Sequence, residues 1–503
     1  MNRWTGKAAV ATAVAALALS ACGSGAGTGG TGGGPSAARL TVALRGTPQS
    51  LAANVPVSGG QTLFYQPLYD SLLQLKADGT PAPMLATAWS YDAAQTVLTL
   101  TLRTGVKFSN GEPFDAAAAK ANLDRAVKSG INAATLGAVT DIAAPDTRTL
   151  VLTLAQRDPG LVSALGTSVA YMQAPGTFER PDAATAPVGT GPYILAPKTV
   201  IGSVYVYTRN PEYWDTAAAK YGEIDLKVMS DPSAMLNAVK SGQVNAAQIS
   251  SAQNAQVQQA GWKVTSQELN TAGLFLFDRD GKLSPPLKNP LVRQAVNLAI
   301  DRAAMLRTMA AGQGTVSTQI LGPIDPALDA KWAYDPAKAK QLIAQAGYAS
   351  GDVAFTMPIF PGAGQLMDAI KAQLAAVGIT VDLVQAGPNA LSELLAGKYP
   401  VSYFQFQTGD PWVTMQQLLT PTSQFNPFHT DDPKIGELVR QYRDGDAAQQ
   451  RTALLQLDQY VTDQAWFAPW YLEQTPWATD ANTTVQLVKG WASPNVLGFA
   501  PKS

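Results

Sequence analysis

Apolar and polar side chains alternate with a period of two in four segments, Arg39–Leu44, Thr96–Leu102, Thr149–Leu154 and Val204–Thr208, which predicts half-buried strands there. Elsewhere the period lengthens to that of a helix. Four predicted helix starts share one signature, an Asx residue followed by proline: Asp231-Pro232, Asn289-Pro290, Asp335-Pro336 and Asp432-Pro433. The Asx side chain can accept hydrogen bonds from the first free backbone N–H groups. Proline at the first helical position gives up a donor that has no partner there. After Asn289, residues Val292, Ala295, Val296, Ala299 and Ile300 form a single apolar stripe. The helix begun at Asp335 runs through Leu342 and Ile343 and stops at Gly347. Another, near 365–378, ends at Gly378 and leads into a strand from Ile379 to Val384, the αβ half of a βαβ unit. Strands interspersed with helices predict mixed α/β lobes, and no repeat of solenoid length is present.

The N-terminus follows a different pattern. Arg3 and Lys7 precede an Ala/Val/Leu run from about Ala8 to Leu19, and then Leu19-Ser20-Ala21-Cys22. A basic start, a short apolar stretch and small residues before a cleavage point read as a secretory signal. The run is shorter than the roughly 20 residues a spanning helix needs. The last four residues resemble the bacterial lipobox, in which the cysteine is lipidated and becomes the new N-terminus. The alternative is an ordinary signal with a chance cysteine. Cys22 is the chain's single cysteine, so no cystine can form within it. From Gly23 to Ser36 the chain is nearly all Gly with Ser, Ala and Thr, a flexible tether. Gly27, Gly29 and Gly32 fit G-x-G-x-x-G, but with no strand before them and no helix after they carry no nucleotide-binding meaning.

The 503 residues, less signal and tether, exceed the roughly 250–300 that a single core supports, so at least two lobes are expected. Charged residues make up 15% and the formal net charge is −1; no basic stripe is visible, and nucleic acid is not an expected partner. Catalytic chemistry finds little material. His429 is the single histidine, which removes Ser-His-Asp and Cys-His arrangements and any multi-histidine metal site. No P-loop is present, and Asp and Glu are too scattered to nominate a glycosidase pair. No catalytic residue, metal site or cofactor is therefore expected, and His429 reads as a loop residue. Trp412, Trp466, Trp470, Trp477 and Trp491 fall in the last hundred residues, where most should pack in cores and one or two could line a cleft.

Several stretches, in order along the chain, resemble the extracytoplasmic solute-binding proteins of peptide-type ABC importers, solute-binding family 5. They are Tyr69-Asp70-Ser71-Leu72; Leu102-Arg103-Thr104-Gly105-Val106-Lys107-Phe108-Ser109-Asn110-Gly111-Glu112-Pro113-Phe114, followed by a helix from Asp115 to Arg125; Gly189-Thr190-Gly191-Pro192-Tyr193; Asn210-Pro211-Glu212-Tyr213-Trp214; the helix from Asn289 to Arg302; and Tyr334-Asp335-Pro336 to Gly347-Tyr348. Their physics reads as structural. Gly105 and Gly111 bracket a turn, Asn110-Gly111 suits positive φ, and Arg103 and Lys107 are expected to be exposed or ion-paired.

The resemblance implies a two-lobed α/β periplasmic-binding-protein fold of type II, in the family 5 variant with an extra subdomain in the first lobe. After the signal at 1–21 and tether at 22–37, lobe I comprises 38–55, 185–273 and 476–503, the inserted subdomain 56–184, and lobe II 274–475. The segment from Asn270 to Asp278 resembles a strand passing between lobes. Ligand recognition is implied at Tyr403, Phe404, Gln405, Phe406, Gln407, Asp410 and Trp412. Gln407 stands where dipeptide binders carry the aspartate that holds the ligand's α-amino group, and a neutral amide cannot neutralise an ammonium. Either Asp410 takes that role or the solute lacks a free amino terminus. The expected protein is a monomeric lipoprotein anchored through Cys22 to the outer face of the cell membrane. It captures a peptide or similar small polar solute and passes it to ABC permease subunits. A sugar, opine or siderophore-like solute, a surface sensor and a hydrolase are the alternatives.

Overall fold

The computed structural model describes residues 38–53, 59–129, 135–322, 324–387 and 389–502. The signal, Cys22 and the tether lie outside these. Among the described residues no helix is long and apolar enough to cross a membrane.

The four segments with period-two alternation are strands, within a residue or two of their expected bounds. Val97–Leu102 and Thr149–Leu154 bury every second side chain, as a sheet with one solvated face does. Arg39–Leu44 differs: every residue after Arg39 is buried. It lies inside the large sheet, parallel to both Glu223–Val228 and Ala246–Gln248, and a core covers each face: Leu40, Val42 and Leu44 pack in one, and Ala43 packs in another with Met235, Val239 and Val257. All four Asx-Pro starts are capped as expected, with Asp231, Asn289, Asp335 and Asp432 accepting from backbone N–H groups of the first turn. The helix Gly364–Ala375 joins Val353–Ile359 to Ile379–Gln385, and the two strands pair in parallel, which completes the βαβ unit.

The large sheet has a path of eight strands, in the order Val401–Gln407, Lys263–Leu276, Phe467–Thr479, Ala246–Gln248, Arg39–Leu44, Glu223–Val228, Val204–Arg209 and Tyr193–Leu195, with Gly314–Val316 added beside Phe467–Thr479. Two members are long, Lys263–Leu276 with 14 residues and Phe467–Thr479 with 13, and they run antiparallel to each other. One end of this pair belongs to the sheet around Arg39–Leu44; the other end pairs with Val401–Gln407. The register slips twice in between, where Leu269 and then Trp470 have no opposite residue. Such bulges bend and twist a ribbon locally. The two lobes therefore share one sheet whose continuity runs through two bulged strands.

Cores sit on either side of this junction. Ala272, Leu274 and Leu276 face a cluster with Val292, Val296 and Trp470, while Phe275 and Phe277 face another with Phe406, Met415 and Trp466. A separate four-stranded antiparallel sheet, Ala86–Tyr91, Val97–Leu102, Thr149–Leu154 and Val139–Ala143, packs under the helix Ala116–Val127 around Leu98, Leu100 and Leu152. Leu63, Phe64, Tyr65 and Tyr69 join instead the core of Leu40, Val42 and Trp477.

The family-like motifs converge on one buried junction. Asp70 is 2% exposed. Its carboxylate accepts from the Tyr213 hydroxyl at 3.1 Å and from Trp214 Nε1 at 3.0 Å, while its N–H donates to Thr190 Oγ1 at 3.1 Å. Lys107 pairs with Glu212 at the surface as expected, whereas Arg103 departs from the expectation of exposure or ion pairing: it is half-buried, its guanidinium 3.9 Å from the centre of the Trp214 ring and its Nε donating to the Met84 carbonyl at 3.1 Å. Gly189 and Gly191 are required by close approach: a Cβ there would stand 2.1 Å and 2.4 Å from the backbone of Leu68. Gly105 and Gly111 take φ of 75° and 87° at the turn they bracket.

Burial pushes the Asp70 carboxyl up to about 7 from its ordinary 3.8, against the pull of the hydrogen bonds from Trp214 and Tyr213. The folded state thus keeps a proton that the unfolded chain releases above about pH 4. Its stabilising contribution is complete below that pH and is lost as pH rises to about 7. Asp70→Asn should gain stability relative to the unaltered protein across that window, by on the order of 1 kcal/mol or more, in urea unfolding at a series of pH values. A difference that does not change with pH would contradict the account.

Candidate functional site

The strand Val401–Gln407 sits at the edge of the large sheet, and the seven residues singled out in and after it occupy three environments. Tyr403, Gln405 and Gln407 share one face of the strand; Phe404 and Phe406 share the other. Tyr403 stacks on Trp470 with ring centres 5.5 Å apart and planes at 13°, and burial pushes its phenol far up. Gln405 Nε2 donates to Glu473 Oε2 at 2.7 Å, and Gln407 Nε2 to the carbonyl of Gly490 at 2.7 Å. Phe404 and Phe406 turn into the core, against Phe275 and Phe425.

Asp410 and Trp412 belong to the next element, the helix Pro411–Leu418. Asp410 is its N-cap and accepts from the N–H groups of Trp412 at 2.8 Å and Val413 at 3.4 Å. Burial raises its carboxyl while those two bonds lower it. Asp410-Pro411 is the same Asx-Pro signature that marks the other helix starts, so this role was readable from the sequence. Trp412, 5% exposed, donates Nε1 to Asp158 Oδ1 at 2.7 Å and stacks on Tyr442 with ring centres 6.1 Å apart. Asp158 also accepts from the N–H of Gly160 at 2.9 Å. His429 is exposed and its Nδ1 lies 2.8 Å from the carbonyl of Pro421.

A cavity of about 580 Å³ opens where these two parts of the chain meet. One wall is Gln156, Arg157, Asp158 and Gly160; the other is Trp412, Val413, Gln416, Gln417 and Gln424. Polar contacts tie the walls together beside it: Arg157 Nη1 donates to the carbonyl of Gly445 at 2.7 Å, and Arg443 Nη1 to Gln156 Oε1 at 2.5 Å. The lining is rich in neutral amides, which both donate and accept, and it carries one aromatic plate. That combination can hold a small polar solute. Among the described residues no group of His, Cys, Asp and Glu side chains is placed to hold a metal ion.

The sequence reading missed Glu473. It lies on the long strand Phe467–Thr479, half-buried, next to Gln405. Burial raises its carboxyl, and Arg45, at the carboxyl end of Arg39–Leu44, pulls the other way. Nothing local distinguishes Glu473 in the sequence, because its position depends on pairing with residues 200 positions away.

A mixed α/β chain folded as two lobes around a shared pair of crossing strands, with a polar cavity between its parts, has the architecture of a periplasmic binding protein. Residues 80–426 match the family described as bacterial extracellular solute-binding proteins, family 5 (middle), and the chain belongs to that family. It is similar to the glutathione-binding protein GsiB of Salmonella paratyphi A, 29% identical over 359 residues that cover 68% of each chain. Among solved structures it resembles AgaA of A. tumefacien R10 in complex with agropinic acid, with a TM-score of 0.80, 21% identity, and coverage of 92% of this chain and 99% of that one. It also resembles NikA of Brucella suis in complex with Fe(III)-EDTA, with a TM-score of 0.78, 24% identity, and coverage of 92% and 100%.

Trp412→Phe keeps the stack on Tyr442 but deletes the donor to the half-buried Asp158. Urea unfolding should show a loss of about 1–3 kcal/mol, whereas Gln407→Ala, at an exposed position, should stay within about 0.5 kcal/mol. Equal effects would mean that the Trp412–Asp158 bridge adds nothing.

Proposed function

We propose that this protein captures a small polar solute, a peptide or a molecule of similar size, between its lobes and delivers it to an ABC import permease. The observation that carries the reading is the cavity between residues 135–164 and 412–424, with Trp412 as its aromatic wall and glutamines on both sides. A solute touching both walls has more affinity for the closed arrangement than for the open one and shifts the population toward it. The moving bodies are residues 274–475 against the remainder, with the subdomain 56–184 carried by the latter. Tyr403, Gln405 and Gln407 line the approach from the sheet. Phe404 and Phe406 support it from the core, and Asp410 sets the helix that carries Trp412. The protein acts as a binder and returns its ligand chemically unchanged. Cys22, once lipidated at the end of the signal, tethers it as a monomer to the outer face of the cell membrane.

The lining bears on the chemical class of the solute. The relatives are named for glutathione or were solved with agropinic acid or chelated iron. The amide-rich wall here favours a ligand that takes many hydrogen bonds, and an opine-like or sugar-like solute is the second reading on that ground. A thermal-melting screen of glutathione, short peptides, opines and disaccharides should find at least one that stabilises the protein. A ligand at 100 times its dissociation constant adds about 2.7 kcal/mol. Silence across the whole screen, together with scattering curves that never change on ligand addition, would overturn the reading. Cys22→Ser should release the protein from the membrane fraction.

A further inference from the structure

We infer that residues 156–160 clasp Trp412, Arg443 and Gly445 as a latch that holds the two sides of the cavity together without help from a solute; the inference takes from the capture reading only that residues 274–475 move against the remainder. Gly160 carries it. Its φ is −89°, a conformation open to any residue, so its own backbone does not ask for glycine. The demand comes from the facing wall: a Cβ at position 160 would stand 2.7 Å from Cδ1 of Trp412, closer than carbon atoms approach. The absent side chain is what lets the two walls meet at the indole ring.

Three hydrogen bonds surround that contact and run in the same sense, from one moving body to the other. Trp412 Nε1 donates to Asp158 Oδ1 at 2.7 Å, Arg157 Nη1 to the carbonyl of Gly445 at 2.7 Å, and Arg443 Nη1 to Gln156 Oε1. The partners are held in place on their own sides. Asp158 Oδ1 also accepts from the N–H of Gly160 at 2.9 Å, and Trp412 stacks on Tyr442. Asp444 takes Nε and Nη2 of Arg443 at 2.7 and 2.8 Å, which leaves Nη1 for Gln156. Groups fixed beforehand lose little freedom on meeting. Every one of these contacts joins protein to protein, so none requires a solute, and the cavity of about 580 Å³ lies beside them. Bonds made only in the closed arrangement raise its population. At the usual net strength of a hydrogen bond, each shifts the closed-to-open ratio about two- to tenfold. A solute then binds a protein that is already largely in the competent state, and its apparent affinity rises accordingly.

The test reads the distance between the two bodies in protein that native mass spectrometry shows to be free of solute. Cys22→Ser leaves the full chain without cysteine. Into it go Thr140→Cys and Arg451→Cys, one exposed position on each body, for spin labels whose separation is measured by pulsed electron resonance. The doubly labelled chain should show mainly the short, closed distance. Adding Gly160→Ala puts a methyl group against the Trp412 ring and should make the longer distance dominant. Adding Arg443→Ala, which removes one bond from outside the cavity lining, should lower the closed-to-open ratio about two- to tenfold. A mainly long distance in the labelled chain without either change would overturn the inference. So would a Gly160→Ala distribution that matches it; should that variant fail to fold, Arg443→Ala decides by the same criterion. A latch that fails here leaves solute capture to the melting screen, and a silent screen leaves the latch to these distances.

Discussion

The constraint on which this structure depends is the pairing of Lys263–Leu276 with Phe467–Thr479. These two strands hold both lobes in one sheet, yet their ladder is broken at Leu269 and at Trp470. On either side the strands are locked by further neighbours, Ala246–Gln248 toward one lobe and Val401–Gln407 toward the other. Bending is cheapest where the ladder is already irregular, and packed cores resist continuous deformation. In the proposed capture of solute, closure would therefore concentrate its bending in this short stretch. The same stretch carries Glu473, which accepts from Gln405 across the sheet.

The junction around Asp70 has a different character. Residues from the motifs at 69–72, 102–114, 189–193 and 210–214 meet there in hydrogen bonds, a cation–ring contact and two backbone crossings that admit only glycine. Here these motifs join the four-stranded sheet of Ala86–Tyr91 and its partners to the core of Leu40, Val42 and Trp477. They do not line the cavity.

What was legible in the sequence was local. The period-two strands, the Asx-Pro caps and the βαβ unit closed by Gly378 all rest on patterns within one stretch of the chain. The alternation along 403–407 already separated Tyr403, Gln405 and Gln407 from Phe404 and Phe406, and Asp410-Pro411 repeated the cap signature. What was not legible depended on distant pairing. Glu473 is placed opposite Asn270 by strand register, Trp412 is held by Asp158, and the burial of both faces of Arg39–Leu44 follows from two cores whose members lie as far away as Val257 and Trp477. No window of the chain contains these relations.

The first strand has a further consequence, for how the chain matures. Arg39–Leu44 waits for partners near residues 223–248, and those in turn lie beside Phe467–Thr479. Asn245 clasps the assembly, accepting from the N–H of Thr41 and donating to Asp480. Loop closures of this span are entropically late events and slow to form. The shared sheet is therefore complete only once Phe467–Thr479 has been synthesised, and a chain that stops short of that strand lacks the partner of both Ala246–Gln248 and Lys263–Leu276.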